Sequence, residues 1–586
     1  MKALAKLNSY FLQYKGLLAI GVLLVLVAVV FKLFPALLIR NSFDAIAQVI
    51  EQYQEGAPIA LEKVKWELVS YGLYIIASAL LQGVFMYFMR QTIIVVSRHI
   101  EFDLKNTIYR QYQRLTIDFF KRNNTGDLMN RISEDVSRVR MYVGPAIMYA
   151  LNTGFTIVIV LSIMFSVNVK LTLYTLLPLP LLAFTIYKVA NTINARSHVV
   201  QKKLSDLSTF AQETFSGMRV IRSYERMPWF NAYFKKMAYE YRDNNERLFR
   251  VNALFMPLMI LMVGVSTLIT IYIGGQLYIA GKISAGNITE FIYYVNLLTW
   301  PIASIGWVTS LVQRAEASMS RINDFLDEQP SFESGTHVGT GTIQGAISFQ
   351  NVSFTYPNSG IEALKDISFE IPPGKSLGIL GKTGSGKSTI AALLARQYDP
   401  TSGQLNIDGV ALKDWDTATY KAQLGWVPQE AFLFSDTIAN NIAFGASNAT
   451  QQRIEESATL AGIHQSITEF KDGYQTAVGE RGITLSGGQK QRVSIARALI
   501  KDPRILVFDD SLSAVDTETE DTILNNIKAT SVQKTTVIIA HRVSSVKHCD
   551  LIICLDGGQI VQHGTHESLS QREGHYAELL EMQREN

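Results

Sequence analysis

A glycine-rich run in the second half of the chain has the residue types and the spacing of a loop that binds nucleotide phosphates. In such a loop backbone N–H groups surround the phosphates, a lysine reaches the outer phosphates, and a hydroxyl contacts Mg²⁺. Lys387 and Ser388 stand at the lysine and hydroxyl positions, with strand-like Leu377–Leu380 before the loop and helix-like Thr389–Arg396 after it. We predict nucleotide contacts from Gly381, Lys382, Thr383, Gly384, Ser385, Gly386, Lys387, Ser388 and Thr389.

A second motif, Leu485–Gln489, also has the composition of an anion-binding turn and lies well apart from the first along the chain. Its two glycines let the backbone approach a phosphate closely, and its serine adds a hydroxyl where the helix-like Lys490–Leu499 begins. The N-terminus of a helix favours anions because of its dipole and its free N–H groups. We therefore predict phosphate contacts from Ser486, Gly487, Gly488 and Gln489.

Apolar residues are concentrated in the first half of the chain, and the hydrophobic fraction of the whole sequence is 48%. A helix that spans a bilayer needs about 20 predominantly apolar residues. The shortest candidate stretch carries Pro178 and Pro180, which membrane helices tolerate where neighbours satisfy the freed backbone groups. We predict six spans, near Gly16–Ile39, Leu68–Met89, Gly144–Val167, Leu171–Tyr187, Leu254–Tyr278 and Phe291–Val312.

The charges of the loops predict the side of the membrane that each loop occupies. Lys and Arg exceed the acids in Arg90–Arg140 and in Lys188–Arg250, so these loops are expected in the cytoplasm. Arg40–Glu67 has more acids than bases and is placed outside. With six spans, both termini and the phosphate-binding half are predicted to be cytoplasmic. No cleavable signal peptide is expected, because the first apolar run is long and lacks a small-residue cleavage pattern.

The long inside loops are predicted to be rods that continue the membrane helices. Their apolar residues, such as Ile100 and Leu104, have a heptad-like spacing, and Asn123–Asp127 and Ser216–Gly217 are the expected turns. From Ala346 short strand-like runs alternate with helices, as in an α/β domain. The predicted fold is multidomain, with a six-helix α-helical transmembrane domain at 1–328, a linker at 329–345 and an α/β P-loop nucleotide-binding domain at 346–586.

Together, Gly381–Ser388 and Leu485–Gln489 resemble the phosphate loop and the signature motif of the ATP-binding-cassette family. Members of that family close ATP between two cassettes. The resemblance therefore implies ATP and Mg²⁺ as ligands, ATP hydrolysis coupled to transport, and a second subunit as partner. The membrane domain precedes the cassette in one polypeptide, and Thr476–Gly482 resembles a segment that links cassette and rods in exporters. Both features favour an exporter half-transporter of the type IV fold.

The resemblance also implies roles for single residues, each at the interval that the family pattern requires. Tyr356 resembles the aromatic side chain that stacks on adenine, and Gln429 resembles the glutamine that contacts Mg²⁺ and the attacking water. Asp509 ends an apolar strand-like run and would hold Mg²⁺ through water, next to Ser388. His541 resembles the switch histidine that contacts the γ-phosphate. The implied metal site thus consists of Ser388, Gln429 and Asp509.

The residue after Asp509 departs from the family pattern, because this chain has Asp510 where the family usually has Glu as the general base. A general base must come within about 2.6–3.2 Å of its proton, and Asp is one methylene shorter than Glu. A displacement of about 1 Å can lower a rate roughly a hundredfold. A slow site beside an intact Leu485–Gln489 resembles one subunit of heterodimeric bacterial multidrug exporters. A homodimer in which Asp510 works with modest turnover is the alternative.

The last expectations concern two features: the interface between the two cassettes, and the substrate that is transported. Ser513–Asp516, by resemblance, would lie between the two cassettes. The Phe, Tyr and Met residues of the spans suit a hydrophobic or amphipathic substrate and suit lipid contact equally well. Lys32 either faces a substrate cavity or extends to the outer interface. Multidrug-type export across the bacterial inner membrane is the expected function, with a lipid flippase or an ATP-gated channel as alternatives. The net charge of +3 gives no reason to expect a nucleic-acid partner.

Overall fold

The computed structural model describes residues 2–55, 61–339, 343–479, 482–513, 515–530 and 534–584. The chain divides into two compact units. The first contains Met1–Gln113 and Gly126–Glu328, and the second contains Arg114–Thr125 and Gln329–Asn586. A short excursion from the first half, Arg114–Thr125, therefore belongs to the second unit.

The first half of the chain is helical. Two turns of π-helix, Arg131–Asp135 and Tyr142–Ala146, interrupt the α-helices. The α-helices are α1 (Asn8–Gln13), α2 (Lys15–Gln54), α3 (Leu61–Arg114), α4 (Ile117–Arg122), α5 (Thr125–Asn130), α6 (Val136–Met141), α7 (Ile147–Val167), α8 (Val169–Leu176), α9 (Pro178–Ser216), α10 (Met218–Ser223), α11 (Met227–Ala253), α12 (Phe255–Ile279) and α13 (Ala285–Leu326).

Most of the predicted spans lie in helical stretches that are long and apolar enough to cross a bilayer. Among the described residues these stretches are Lys15–Gln54, Glu62–Arg114, Thr125–Val167, Met227–Ile279 and Ala285–Leu326. The remaining predicted span, Leu171–Tyr187, is also helical, but it is divided between α8 and α9. The division falls at Leu177, directly before Pro178. Proline has no N–H group to continue the helical hydrogen bonds, so its position accounts for the break.

Several helices continue well beyond the thickness of a bilayer. α3 has 54 residues, which corresponds to about 80 Å, whereas the hydrocarbon core is about 30 Å thick. Ile100, Leu104 and Ile108 are buried along one side of α3, as expected for a rod packed in a bundle. The rod ends at Arg114, α4 follows it, and the predicted turn Asn123–Asp127 lies between α4 and α5, with α5 beginning inside it at Thr125. At the second predicted turn, α9 ends at Ser216 and α10 begins at Met218.

A polar junction joins α2 to the first turns of α13. Ser284 caps α13 and donates to the carboxylate of Asp44 at 2.9 Å, and the N–H of Gly286 donates to the same carboxylate at 2.7 Å. Glu290 has a fully buried side chain, which lies 3.5 Å from Arg40 of α2. A Cβ atom at Gly286 would lie 2.2 Å from the Arg40 carbonyl oxygen. Glycine therefore permits the close approach that satisfies the free N–H groups of α13.

The second unit combines strands and helices. Its strands are β1 (Ile347–Thr355), β2 (Glu362–Ile371), β3 (Ser376–Gly381), β4 (Ser402–Ile407), β5 (Val410–Ala411), β6 (Leu424–Val427), β7 (Ile505–Asp509), β8 (Thr535–Ile539), β9 (Leu551–Asp556) and β10 (Gln559–Gly564). Its helices beside α4 are α14 (Lys387–Leu394), α15 (Thr417–Ala422), α16 (Ile438–Ala443), α17 (Gln451–Leu460), α18 (His464–Thr468), α19 (Gly487–Leu499), α20 (Thr517–Thr530), α21 (Val543–Val546), α22 (His566–Ser570) and α23 (His575–Arg584).

Two sheets organise this unit. One has the order β10-β9-β3-β8-β7-β6, and the other has the order β2-β1-β4-β5. In the larger sheet β9, β3, β8, β7 and β6 run parallel, and β10 is antiparallel. β7 and β8 are buried along their whole length, which suits strands covered on both faces. Because parallel strands end at one edge, the residues after β3, β6, β7 and β8 meet in a crevice there, where such sheets bind ligands.

Part of the predicted linker, 329–345, packs on the second unit. The side chain of Arg396 is fully buried and donates at 2.9 Å to the carbonyl of Glu333. A Cβ atom at Gly335 would lie 2.1 Å from the carbonyl oxygen of Asp414, so the backbones touch there. Residues 340–342 lie outside the described part of the chain. The first part of this segment is therefore held by specific contacts.

Cys549 and Cys554 are free and buried in the second unit. Burial raises the pKa of Cys549 to about 12 and that of Cys554 to about 11. Maleimides react with the thiolate, so we expect slow modification of both residues in folded protein at pH 8 and fast modification after denaturation. Mass spectrometry of adducts over time measures this difference. Native-state labelling as fast as that of a free thiol would contradict it.

Candidate functional site

The loop between β3 and α14 has the backbone conformation of a phosphate cradle. Gly386 has φ +99°, and a Cβ atom there would lie 2.5 Å from the carbonyl oxygen of Ala363. Backbone conformation and space both require glycine at this position. Lys387 begins α14, and its ammonium group donates to the carbonyls of Gly381 at 2.6 Å and Lys382 at 2.9 Å. The ammonium group is thus held over the loop, close to where phosphates would lie.

Two residues predicted to hold Mg²⁺, Ser388 and Asp509, lie side by side. Ser388 Oγ donates to Asp509 Oδ1 at 2.8 Å. Burial raises the pKa of Asp509, and the nearby charge of Asp510 adds to the effect. A hydroxyl and a carboxylate oxygen are hard ligands that suit Mg²⁺, which commonly combines one or two protein ligands with waters and substrate phosphates. The residues present therefore fit this ion, which when bound would neutralise phosphate charge.

Three side chains predicted to act in catalysis converge beyond the carboxyl ends of β6, β7 and β8. Gln429 Nε2 donates to Asp510 Oδ2 at 3.3 Å, and His541 Nε2 lies 3.7 Å from the same oxygen. Asp510 has φ +46°, a left-handed conformation that Asp tolerates better than most residues. Its N–H group donates to the carbonyl of Ile539 at 2.9 Å. The backbone bend and the two neighbours together direct the carboxylate into the crevice.

Tyr356 forms one wall of a cavity of about 490 Å³, a size typical of small-molecule sites. Its hydroxyl lies 3.1 Å from Thr389 Oγ1, directly beyond the phosphate loop. The ammonium group of Lys121, from α4, lies 6.0 Å from the centre of the Tyr356 ring, within the range of a cation–π contact. Ten of the residues predicted for the chain's own nucleotide site line this cavity: Tyr356, Thr383, Gly384, Gly386, Lys387, Ser388, Thr389, Gln429, Asp510 and His541. The predicted residues Gly381, Lys382, Ser385 and Asp509 do not line it.

The second motif forms the start of α19, outside the residues that line this cavity. Ser486 caps the helix: its Oγ accepts from Gln489 N at 3.3 Å, and Gln489 Oε1 accepts from Ser486 N at 2.9 Å. A Cβ atom at Gly487 would meet open space. The first turn of α19 therefore presents a hydroxyl, N–H groups and an unobstructed backbone, which is the arrangement of an anion site.

Two further segments predicted to lie at interfaces are only partly described. Ser513 Oγ donates to the Asp510 carbonyl at 2.9 Å, so the start of Ser513–Asp516 is tied to the position of the predicted base. Ala514 lies outside the described residues. In Thr476–Gly482, Val478 N donates to Asp436 O at 2.9 Å, whereas Glu480 and Arg481 lie outside the described residues.

Sequence reasoning missed residues whose position depends on distant contacts. Gln491 of α19 donates to the carbonyl of Gln429 at 3.1 Å and so joins the second motif's helix to the loop of the predicted metal site. The available sequence signal for Gln491 was a single amide side chain on a helix face whose other residues are small or apolar. Lys121 lies in the inside loop Arg90–Arg140, which the sequence predicts only to be a cytoplasmic rod. Its approach to Tyr356 joins parts of the chain that no local pattern connects.

Comparison with known proteins gives matches along the whole chain. Residues 17–302 match the ABC transporter transmembrane region, and residues 364–513 match the ABC transporter family. The multidrug resistance-like ATP-binding protein MdlA of Escherichia coli is 34% identical over 100% of this chain and 97% of that protein. An ATP-dependent lipid A-core flippase of Pseudomonas fluorescens is 32% identical over 99% of this chain and 96% of that protein.

A solved structure extends the match to three dimensions. The structure of a bacterial Atm1-family ABC exporter with ATP bound has a TM-score of 0.77 and 26% identity, and the match covers 99% of both chains. The order of domains, the full-length relatives and the exporter fold agree with the predicted transmembrane domain followed by a cassette. The chain therefore belongs to the ATP-binding-cassette transporter family, in which the ATPase activity of the second domain is coupled to transport through the first.

Proposed function

We propose that this chain is one subunit of a heterodimeric exporter of hydrophobic or amphipathic compounds across the bacterial inner membrane. Relatives along its full length include the multidrug resistance-like MdlA and a Bacillus subtilis protein named a probable multidrug resistance ABC transporter ATP-binding/permease protein, 34% identical over 99% of this chain. The excess of Lys and Arg in the inside loops supports cytoplasmic termini and a cytoplasmic cassette.

Each side chain of the crevice has a role in this proposal. Lys387 holds the outer phosphates of ATP, and Ser388 and Asp509 hold Mg²⁺, with Gln429 orienting the attacking water. His541 contacts the γ-phosphate, and Tyr356 stacks on the adenine. ATP binding stabilises the closed pair of cassettes because ATP binds that state more tightly than the open state. Closure would switch the membrane cavity from inward-facing to outward-facing, and hydrolysis would reset it.

Asp510 is the observation that favours two unlike subunits. Gln429 and the backbone bend hold the Asp510 carboxylate in place. The Asp side chain is one methylene shorter than Glu, and movement of the carboxylate would make up little of that missing length. The chain's own site would then hold ATP and turn it over slowly. The start of α19, with Ser486 intact and open, would complete the fast site of the partner. A homodimer with modest turnover is the competing assembly.

A second candidate function is movement of a lipid between leaflets. The relative named an ATP-dependent lipid A-core flippase covers 99% of this chain, and the apolar spans suit either substrate class. In this case the substrate stays in the bilayer instead of entering the outer solution. The same cassette chemistry would drive both processes.

Transport assays separate these functions. The complex is reconstituted in vesicles with the cassettes outside, and uptake of a fluorescent amphipathic cation is followed after ATP addition. A leaflet-resolved assay with a labelled lipid uses the same vesicles. The inactive control carries Lys387→Met in this chain together with replacement of the partner's phosphate-loop lysine. Uptake into the lumen against a gradient supports the exporter, whereas lipid transfer without luminal uptake supports the flippase. A passive current or leak opened by ATP would contradict both.

The proposed pairing is tested by cross-linking. A cysteine at 486 should form a cross-link to a cysteine beside the phosphate loop of the partner when ATP is trapped. A cysteine introduced at Thr468, remote in sequence from the signature motif, is the control for random collision. If ATP produces no such cross-link, Ser486 does not complete the partner's site.

A further inference from the structure

The loop that carries His541 is held by the last described helix of the chain. His541 and Arg542 connect β8 to α21, and α23 reaches this connection through Gln583. Gln583 Nε2 donates to the carbonyl of His541 at 2.7 Å, and Gln583 Oε1 accepts from the N–H group of Val543 at 2.8 Å. One amide side chain thus binds the backbone on both sides of Arg542.

This pair of bonds depends on the amide group. The carbonyl of His541 accepts a hydrogen bond and the N–H group of Val543 donates one. A single side chain that binds both groups must therefore supply one donor and one acceptor. Glutamine does so. Glutamate keeps only the acceptor, and leucine of similar size has neither. The three residues therefore give a graded series that changes the bonds while largely keeping the volume at position 583.

The helix that carries Gln583 is itself well anchored at its start. Tyr576 is fully buried, and its hydroxyl lies 2.6 Å from His566 Nδ1. The N–H group of Tyr576 donates to Gln562 Oε1 at 2.9 Å. Gly574, before the helix, has φ +141° and lies so close to Gln562 that a Cβ atom would be 2.2 Å from its amide nitrogen. α23, the helix that carries Gln583, is thus anchored at its start.

A second helix holds the other end of the same loop. Glu520 of α20 is buried and accepts a hydrogen bond from Ser545 Oγ, and one of its oxygens lies 3.7 Å from Arg542 Nη1. α20 follows the segment expected at the cassette interface. The residues from His541 to Ser545 are therefore fixed between α20 and α23. His541 Nε2 is left 3.7 Å from Asp510 Oδ2, facing the nucleotide cavity.

We infer that Gln583 is a positioning residue for His541. By binding the backbone on both sides of Arg542, Gln583 holds the imidazole of His541 in the position from which the imidazole contacts the γ-phosphate. The inference rests on the γ-phosphate role proposed for His541 above. ADP has no γ-phosphate, so the contact contributes to ATP affinity and not to ADP affinity. The ratio of the two affinities therefore reports the position of the imidazole without depending on hydrolysis.

The test measures ATP and ADP binding to the full transporter complex with fluorescent nucleotide analogues in the presence of EDTA and, separately, Mg²⁺. The partner's phosphate-loop lysine is replaced, so that the fluorescence change reports nucleotide binding at this chain's site. Hydrogen bonds to charged groups contribute about 1.5–3 kcal/mol, so His541→Ala should lower the ATP-to-ADP affinity ratio by about tenfold or more. Gln583→Leu should lower it by about fivefold, and Gln583→Glu by less. Glu581→Gln, an exposed change on the same helix, should leave the ratio unchanged.

The double variant decides whether the two residues act together. If Gln583 acts through His541, adding Gln583→Leu to His541→Ala should produce no further loss. A full additive loss, or a Gln583→Leu ratio equal to wild type while His541→Ala lowers it, would overturn the inference. Equal losses of ATP and ADP affinity in both Gln583 variants would also overturn it, because they indicate general damage. An unchanged ratio in His541→Ala would instead reject the proposed role of His541 itself.

Discussion

Replacing Asp510 with Glu is expected to raise ATP turnover at this chain's own site by about a hundredfold. The added methylene extends the carboxylate toward the attacking water, and a misplacement of about 1 Å costs roughly that factor. Gln429 and His541 flank the carboxylate at 3.3 and 3.7 Å, so the other groups of the site are already present. The backbone at φ +46° accepts Glu at a cost of about 1–3 kcal/mol of strain.

The rate has to be measured where only this site can hydrolyse ATP. The chain is therefore paired with a partner whose catalytic glutamate is replaced by glutamine, and phosphate release is compared for wild type, Asp510→Glu and Asp510→Asn. Asp510→Asn keeps the shape without the base and should remain at the low wild-type rate or below it. The isolated chain should show little turnover. An isolated chain that dimerises and hydrolyses ATP at an ordinary exporter rate would refute the heterodimer.

Ser486→Asp is expected to abolish most ATP turnover of the pair, by about a hundredfold or more. The loss of one positioned donor to transition-state charge costs roughly 10²–10³ in rate, and a carboxylate here would also repel the partner's γ-phosphate. Asp is as good a helix cap as Ser, so α19 should still begin at the same residue. This variant therefore separates loss of the phosphate contact from fraying of the helix.

Two control measurements, the turnover of a conservative variant and the melting temperature of the complex, distinguish loss of the phosphate contact from damage to the fold. Ser486→Thr keeps both the hydroxyl and the cap and should retain turnover close to wild type. The melting temperature of the complex should be nearly the same for Ser486→Asp, Ser486→Thr and wild type. Phosphate release is measured with a fully active partner, because the affected site is the partner's. Undiminished turnover in Ser486→Asp would mean that this motif does not serve a working ATP site.

The phosphate loop could be predicted from sequence because its chemistry is local. Gly381–Ser388 are consecutive, and the strand before and the helix after them have their own hydrophobic patterns. The apolar spans were also predictable, because a bilayer imposes a length and a composition on each helix. Leu171–Tyr187 shows the limit, since Pro178 divides that span into two helices. The choice between heterodimer and homodimer stays a prediction.

Residue types and spacing by themselves determined the domain order, the apolar spans and the family, and they predicted the nucleotide-binding residues, because each of these depends on short, contiguous patterns. The tertiary structure decided which distant residues meet. Gln429 reaches Asp510, Lys121 lies over Tyr356, and Gln583 holds the loop of His541. These contacts depend on strand order and helix packing, which bring together segments that no local periodicity relates.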